Sequence, residues 1–126
     1  MQAYLLVGLG GALGAAARYG ISSLIGRAWS TGFPLATLVV NIAGSFFMGV
    51  LIGLLARTMP QMAYEIRLFV AVGLLGGFTT FSSFSLDTIV LIERGELAQA
   101  LFYIGMSVVI CLAGLYLGLL ITRGAA

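Results

Sequence analysis

The sequence predicts an all-α membrane protein with four transmembrane helices, on three observations. Of its 126 residues, 61% are hydrophobic and only 8% are charged, whereas a soluble domain carries about 25% charged residues. Mean hydropathy is +1.15, which leaves too few polar groups to cover a surface in water. The charges also leave four long gaps. No charged side chain lies between Met1 and Arg18, between Arg27 and Arg57, between Arg67 and Asp87, or between Glu96 and Arg123. A helix needs about 20 apolar residues to cross a bilayer, so each gap accommodates one span. An ordinary soluble enzyme is excluded.

The spans are expected at residues 3–25, 35–56, 66–92 and 97–121, giving a single four-helix transmembrane domain over 1–126. No basic region precedes the first apolar run, which continues into a full-length span, and this argues against a removable signal peptide. Ser30, Thr31, Gly32 and Pro34 form a turn-and-cap cluster ahead of the second span, with Pro34 suited to its first turn. The run Arg57-Thr58-Met59-Pro60-Gln61 closes that span, and Glu93-Arg94-Gly95-Glu96 turns the chain between the third and fourth. Cys111 is the only cysteine, so an intrachain disulfide is impossible.

The net charge is +2 and every basic residue is Arg, six in all, with no Lys and no His. Nucleic-acid binding needs a clustered basic patch. Here the arginines are scattered, most of them near predicted helix ends, so no nucleic-acid partner is expected. Arg57, Arg67 and Arg123 fall on the side of the N-terminus, while Arg27 and Arg94 fall on the other, with Arg18 nearer that side too. Basic residues at helix ends set orientation by favouring the cytoplasm. Near-parity therefore predicts dual topology, with copies inserted both ways.

Polar and small residues recur every four positions: Gly10, Gly14, Arg18, Ser22; then Thr37, Asn41, Ser45, Gly49, Gly53; then Gln99, Tyr103, Ser107, Cys111. Residues four apart share a helical face. The glycine pairs Gly10/Gly14, Gly49/Gly53 and Gly114/Gly118 read as packing seams, because small residues let backbones approach closely in lipid. Asn41 differs, since a buried amide costs several kcal/mol unless bonded. It is either interhelical glue or part of a polar pathway. The Gly8–Gly14 run superficially resembles a dinucleotide-binding loop, but Leu13 stands where the third glycine belongs and no strand precedes it.

The third span carries Gly76-Gly77-Phe78-Thr79-Thr80-Phe81-Ser82-Ser83-Phe84-Ser85. Adjacent glycines followed by β-branched and hydroxyl residues are poor helix formers, and they fall at mid-membrane depth. On the residues alone the run fits either a Ser/Thr packing seam or a helix break. Lipid tolerates a break only where protein buries it or it lines a cavity, and unwound carbonyls coordinate cations such as Na⁺ in other transport proteins.

This run, together with Val40-Asn41 followed by Gly44 and with Gly14…Arg18 at the end of the first span, resembles the Fluc (CrcB) family of fluoride channels over essentially the whole chain. The resemblance implies a third helix broken at mid-membrane and an antiparallel, dual-topology homodimer in the bacterial inner membrane. Such a dimer exports fluoride passively through two pores and holds a central, structural Na⁺ that is not transported. By residue match, the Na⁺ ligands would be the backbone carbonyls of Gly76 and Thr79. Asn41 would line the fluoride pathway, Phe81 and Phe84 would form its aromatic box beside the hydroxyls of Thr80 and Ser83, and Tyr103 and Ser107 would belong to a polar track. Thr37 and Asp87 match polar positions along or near the path. Cys111 departs from the pattern, standing where at least some members carry serine.

A rival reading is a small dual-topology exporter of multidrug or guanidinium cations, which needs a membrane-embedded carboxylate. Asp87 is the only acidic residue near a span interior. A purely structural membrane subunit would leave the 76–85 run unexplained.

Overall fold

The computed structural model describes residues 1–29, 31–58 and 61–123. Ser30 of the first turn cluster, and Met59 and Pro60 of the second connection, lie outside the described residues. The order of elements is α1 (Gln2–Ala28), α2 (Leu35–Thr58), α3 (Ala63–Ile66), a π-helical segment (Arg67–Leu75), α4 (Gly76–Phe78), α5 (Phe81–Glu93) and α6 (Leu97–Arg123). Four of the resulting rods are long and apolar enough to cross a membrane, the third being the bent composite Ala63–Glu93.

Two helix pairs are built by backbone approach at glycine. On α1, a Cβ at Gly10 would run into the Phe69 carbonyl, and one at Gly14 into the Leu74 carbonyl. On the other pair, a Cβ at Gly49 of α2 would meet the Leu115 carbonyl of α6, and one at Gly118 would meet the Phe46 carbonyl. In lipid no hydrophobic force pulls helices together, so close van der Waals contact of this kind drives association. Gly114 differs from its neighbour Gly118: the nearest atom to a Cβ there is 3.8 Å away, an ordinary contact.

Pro34 sits one residue ahead of α2, and its carbonyl accepts from the Leu38 N–H at 3.3 Å. Gly32 and Gly95 have φ of +90° and +79°, a backbone region that glycine enters without steric cost. Arg94 ties these two turns together, donating to the Gly32 carbonyl at 2.9 Å and pairing with Glu96 at 3.0 Å. At the opposite end, Arg57 donates to the Thr122 carbonyl at 2.7 Å, satisfying one of the last carbonyls of α6. Between these ends lies a core of Leu38, Leu91, Ala100 and Tyr103, with Phe33, Ile42, Phe84 and Met106 packed against it.

Candidate functional site

The third rod is interrupted at Thr79 and Thr80. Their backbones are extended, with φ/ψ of −84°/158° and −152°/113°, and α5 restarts at Phe81. Part of the disrupted bonding is repaired locally. The Leu75 carbonyl accepts both the Thr79 N–H and the Thr79 hydroxyl, each at 3.0 Å. The Thr80 hydroxyl caps α5 by accepting the Ser83 N–H at 3.1 Å, the usual duty of an N-cap threonine, and lies 3.2 Å from the Ser82 hydroxyl.

The rest is repaired from other helices. Asn41 on α2 accepts the Thr80 N–H through Oδ1 at 2.8 Å and donates to the Thr80 carbonyl through Nδ2 at 3.1 Å. Arg18 on α1 donates through Nε to the Gly77 carbonyl at 3.2 Å. The carbonyls of Gly76, Phe78 and Thr79 accept no hydrogen bond from the described residues. Two of these three are the pair singled out above for a cation. They are neutral, hard oxygens, the donor type unwound transporter helices present to Na⁺. Among the described residues, no group of three or more His, Cys, Asp or Glu that could hold a metal is found.

A cavity of about 430 Å³ opens between α2, the break and α6. Its polar lining comes from Asn41, Ser45, Thr79, Thr80, Ser107 and Cys111, and its aromatic wall from Phe81 and Phe84. Met48, Leu112 and Leu115 extend it on the apolar side. The lining carries no charged side chain, yet the N-terminus of α5 borders it, and a helix N-terminus presents partial positive charge. The Phe81 and Phe84 ring centroids are 5.4 Å apart. Phe81 is 77% exposed on the single chain, whereas Phe84 is half-buried. The Ser107 hydroxyl is buried without a partner among the described residues. That is costly unless something else accepts from it or donates to it.

A second polar group lies behind Phe84. The Tyr103 phenol is fully buried and donates to Asp87 at 3.1 Å, and Thr37 is a neighbour of the same phenol. The Phe84 ring lies 5.2 Å from the Tyr103 ring and joins the two groups. Thus Asn41, Thr79, Thr80, Phe81, Phe84 and Ser107 meet at one cavity, while Thr37, Tyr103 and Asp87 form a neighbouring cluster. Gly76 and the side chain of Ser83 are not part of the cavity wall. Gln99, at the start of the α6 stripe, faces a different groove beside Trp29 and Phe102.

The sequence places Ser45 in the four-residue stripe of α2 but gives it no site role, whereas the structure puts it on the cavity wall with Cys111. Its spacing of four from Asn41 was the available signal. Gly44 is the second such residue, named above only as part of the motif that carries the resemblance. A Cβ there would collide with the Thr79 γ-methyl, so its absence makes the notch into which the break packs.

A family profile described as CrcB-like protein, Camphor Resistance (CrcB), matches residues 5–119. Similar proteins bear the name Fluoride-specific ion channel FluC. One from Paracoccus denitrificans (strain Pd 1222) is 54% identical over 121 residues, covering 96% of this chain and 94% of that protein. Another, from Rhodospirillum centenum (strain ATCC 51521 / SW), is 49% identical over 125 residues, covering 99% and 98%. A third, from Ruminiclostridium cellulolyticum (strain ATCC 35319 / DSM 5812 / JCM 6584 / H10), is 44% identical over 120 residues, covering 95% and 92%.

Proposed function

The chain belongs to the CrcB-like family, and from that membership we propose that it is a fluoride-specific ion channel, a multi-pass membrane protein that lets fluoride leave the cell passively. The working unit is an antiparallel homodimer in the bacterial inner membrane with two pores. The observation that carries the reading is the charge-free cavity at the break, where the N-terminus of α5, the Asn41 amide and neutral hydroxyls converge.

Fluoride is small and strongly hydrated, so a narrow path has to replace water with donors of partial positive charge. The Thr80 and Ser107 hydroxyls, the Asn41 amide and the electropositive rims of Phe81 and Phe84 are such donors. A cationic side chain in the cavity wall would hold the anion too tightly, because conduction requires both admission and release. Tyr103, Thr37 and Asp87 continue the polar track beyond Phe84, with Ser83 beside the rings. The exposure of Phe81 supports a second copy of the chain against this face.

The carbonyls of Gly76 and Thr79 fit a structural Na⁺, which when bound supplies positive charge that holds two breaks together. They are unpaired, neutral and within four residues of each other. The protein's own contribution is to keep them unpaired: Asn41 and Arg18 occupy the neighbouring groups without covering these two. Na⁺ is expected to raise the melting temperature of the purified dimer relative to a bulky organic cation, without Na⁺ flux in liposomes. Steady Na⁺ transport would exclude the structural role.

A cation exporter would need a carboxylate in its binding cavity. Asp87 instead accepts from Tyr103 and lies outside the cavity wall. Reconstitution into liposomes with parallel measurement of fluoride, chloride and guanidinium flux tests the assignment. Fluoride flux far above the other two is expected, and guanidinium flux without fluoride flux would overturn it.

A further inference from the structure

Asn41 reads most simply as a donor to the ion. Its hydrogen bonds assign it more. Oδ1 accepts the Thr80 N–H at 2.8 Å and Nδ2 donates to the Thr80 carbonyl at 3.1 Å. The side-chain amide thus pairs with both backbone groups of one residue, as a neighbouring strand would, at a point where the chain has left the helix. In a continuous helix the Thr80 N–H would bond the Gly76 carbonyl, four residues back; here Asn41 takes that N–H instead.

Two further contacts fix the same segment from α2 and α1. The notch at Gly44 admits the Thr79 γ-methyl, one helical turn beyond Asn41 on the same face. Arg18 of α1 holds the Gly77 carbonyl. One of the two Nδ2 hydrogens is committed to Thr80. The other is the only Asn41 donor left for an ion.

We propose that Asn41 is a positioning residue: by holding both backbone groups of Thr80 it sets the pose of the Phe81 ring and leaves the Gly76 and Thr79 carbonyls unpaired, so that it acts on permeation through the break. The inference deepens the channel reading and rests on it. It also explains why an amide suits this position. A hydroxyl of Ser or Thr is too short to pair with both groups at once, and a carboxylate lacks the donor for the Thr80 carbonyl.

The test combines hydrogen exchange at the break with ion flux. Thr80 borders the cavity, where water can reach, so without the clamp its amide has no reason to be protected. In the wild-type protein the Thr80 amide should exchange as slowly as the interior amides of α5. Exchange at the rate of an open loop would overturn the proposal without any variant. In Asn41→Ala, Thr80 exchange should rise by at least ~10-fold, as expected when the hydrogen bond protecting a buried group is lost. Per assembled channel, fluoride efflux should fall and the fluoride-to-chloride ratio should shrink. A merely destabilised fold would lower the amount of channel and leave that ratio alone.

Asn41→Asp keeps the acceptor and should keep the Thr80 N–H protected while the ratio still changes, which covers the case in which the alanine variant fails to fold. Reduced efflux from Asn41→Ala with break exchange at the wild-type level would show a donor only, and overturn the proposal. A wild-type protein that carried no fluoride would defeat the channel reading instead, and leave the exchange result standing.

Discussion

The phenol of Tyr103 on α6 donates to the carboxylate of Asp87 on α5 across 3.1 Å, with the tyrosine fully buried. This bond joins the helix that follows the break to the helix that carries the polar stripe. It is held between aromatic neighbours: the Phe33 ring meets Tyr103 edge-on at 5.6 Å and the Phe84 ring lies at 5.2 Å.

Tyr103→Phe should preserve those ring contacts and strand the carboxylate. Leaving a fully buried polar group without its partner costs about 1–3 kcal/mol, and Asp87 is only half-buried. Measured values for single side-chain bonds between membrane helices average nearer 0.6 kcal/mol. A loss of about 1 kcal/mol in thermal or denaturant unfolding is the expected outcome, together with reduced fluoride efflux. Unchanged efflux would place the Tyr103–Asp87 pair outside the path.

Gly44 and Thr79 should behave as a matched pair. Gly44→Ala puts a methyl into the Thr79 γ-methyl, and overpacking of this kind costs about 1–3 kcal/mol. Thr79→Ser alone should be mild, because the serine hydroxyl can still donate to the Leu75 carbonyl as Thr79 does. It also removes the methyl, so Gly44→Ala combined with Thr79→Ser should recover most of the loss. A double-mutant cycle on the melting temperature reads this directly; simple additivity would mean that the contact is not what limits the site.

The arginine distribution makes its own prediction. Arg57 lies with Thr122 at one end of the bundle and Arg94 with Gly32 at the other, so both ends carry basic residues, as near-parity in the sequence required. Two or three Lys added at one end should force a single orientation. Each biased variant should then be inactive alone and active when co-expressed with its oppositely biased counterpart. Activity from one strongly biased variant on its own would exclude the antiparallel arrangement.

Much of this was legible from particular residues. The uncharged stretches between Arg27 and Arg57 and between Glu96 and Arg123 mark α2 and α6, because a charge is costly anywhere in hydrocarbon. The 76–85 run left a packing seam and a break both open on its residues, and the resemblance rather than the run implied the break; Gly76-Gly77 stay helical and the chain leaves the helix at Thr79-Thr80. What Asn41 does was not legible. Composition leaves glue and pathway both open, and only the extended backbone of Thr80 brings a donor and an acceptor to face the amide. The π-helical segment Arg67–Leu75 was equally hidden. An i→i+5 ladder differs from an α-helix in backbone register, and its sequence reads as an ordinary apolar run. The split between the cavity and the Thr37–Tyr103–Asp87 cluster was also out of reach, since it depends on where the Phe84 ring falls between α5 and α6.

Phe81 and Phe84 offer the sharpest separation of solvation from packing. Their centroids are 5.4 Å apart at an interplanar angle of 48°, and both rings border the cavity. Phe84 also packs on the core, but Phe81 is 77% exposed on the chain, so its ring contributes little to the stability of the single chain. Replacing either by Ile keeps much of the volume and apolarity and removes the aromatic quadrupole, whose positive edge attracts an anion. If the rings only fill space, the swaps should cost less than ~1.5 kcal/mol in stability and leave efflux intact. If the ring edges solvate fluoride, the dimer should assemble while efflux per dimer collapses, and Phe81→Ile should show this with the smaller change in melting temperature. Fluoride efflux from liposomes, normalised to assembled dimer, decides between them. Near-normal efflux from both variants would return the two rings to packing alone.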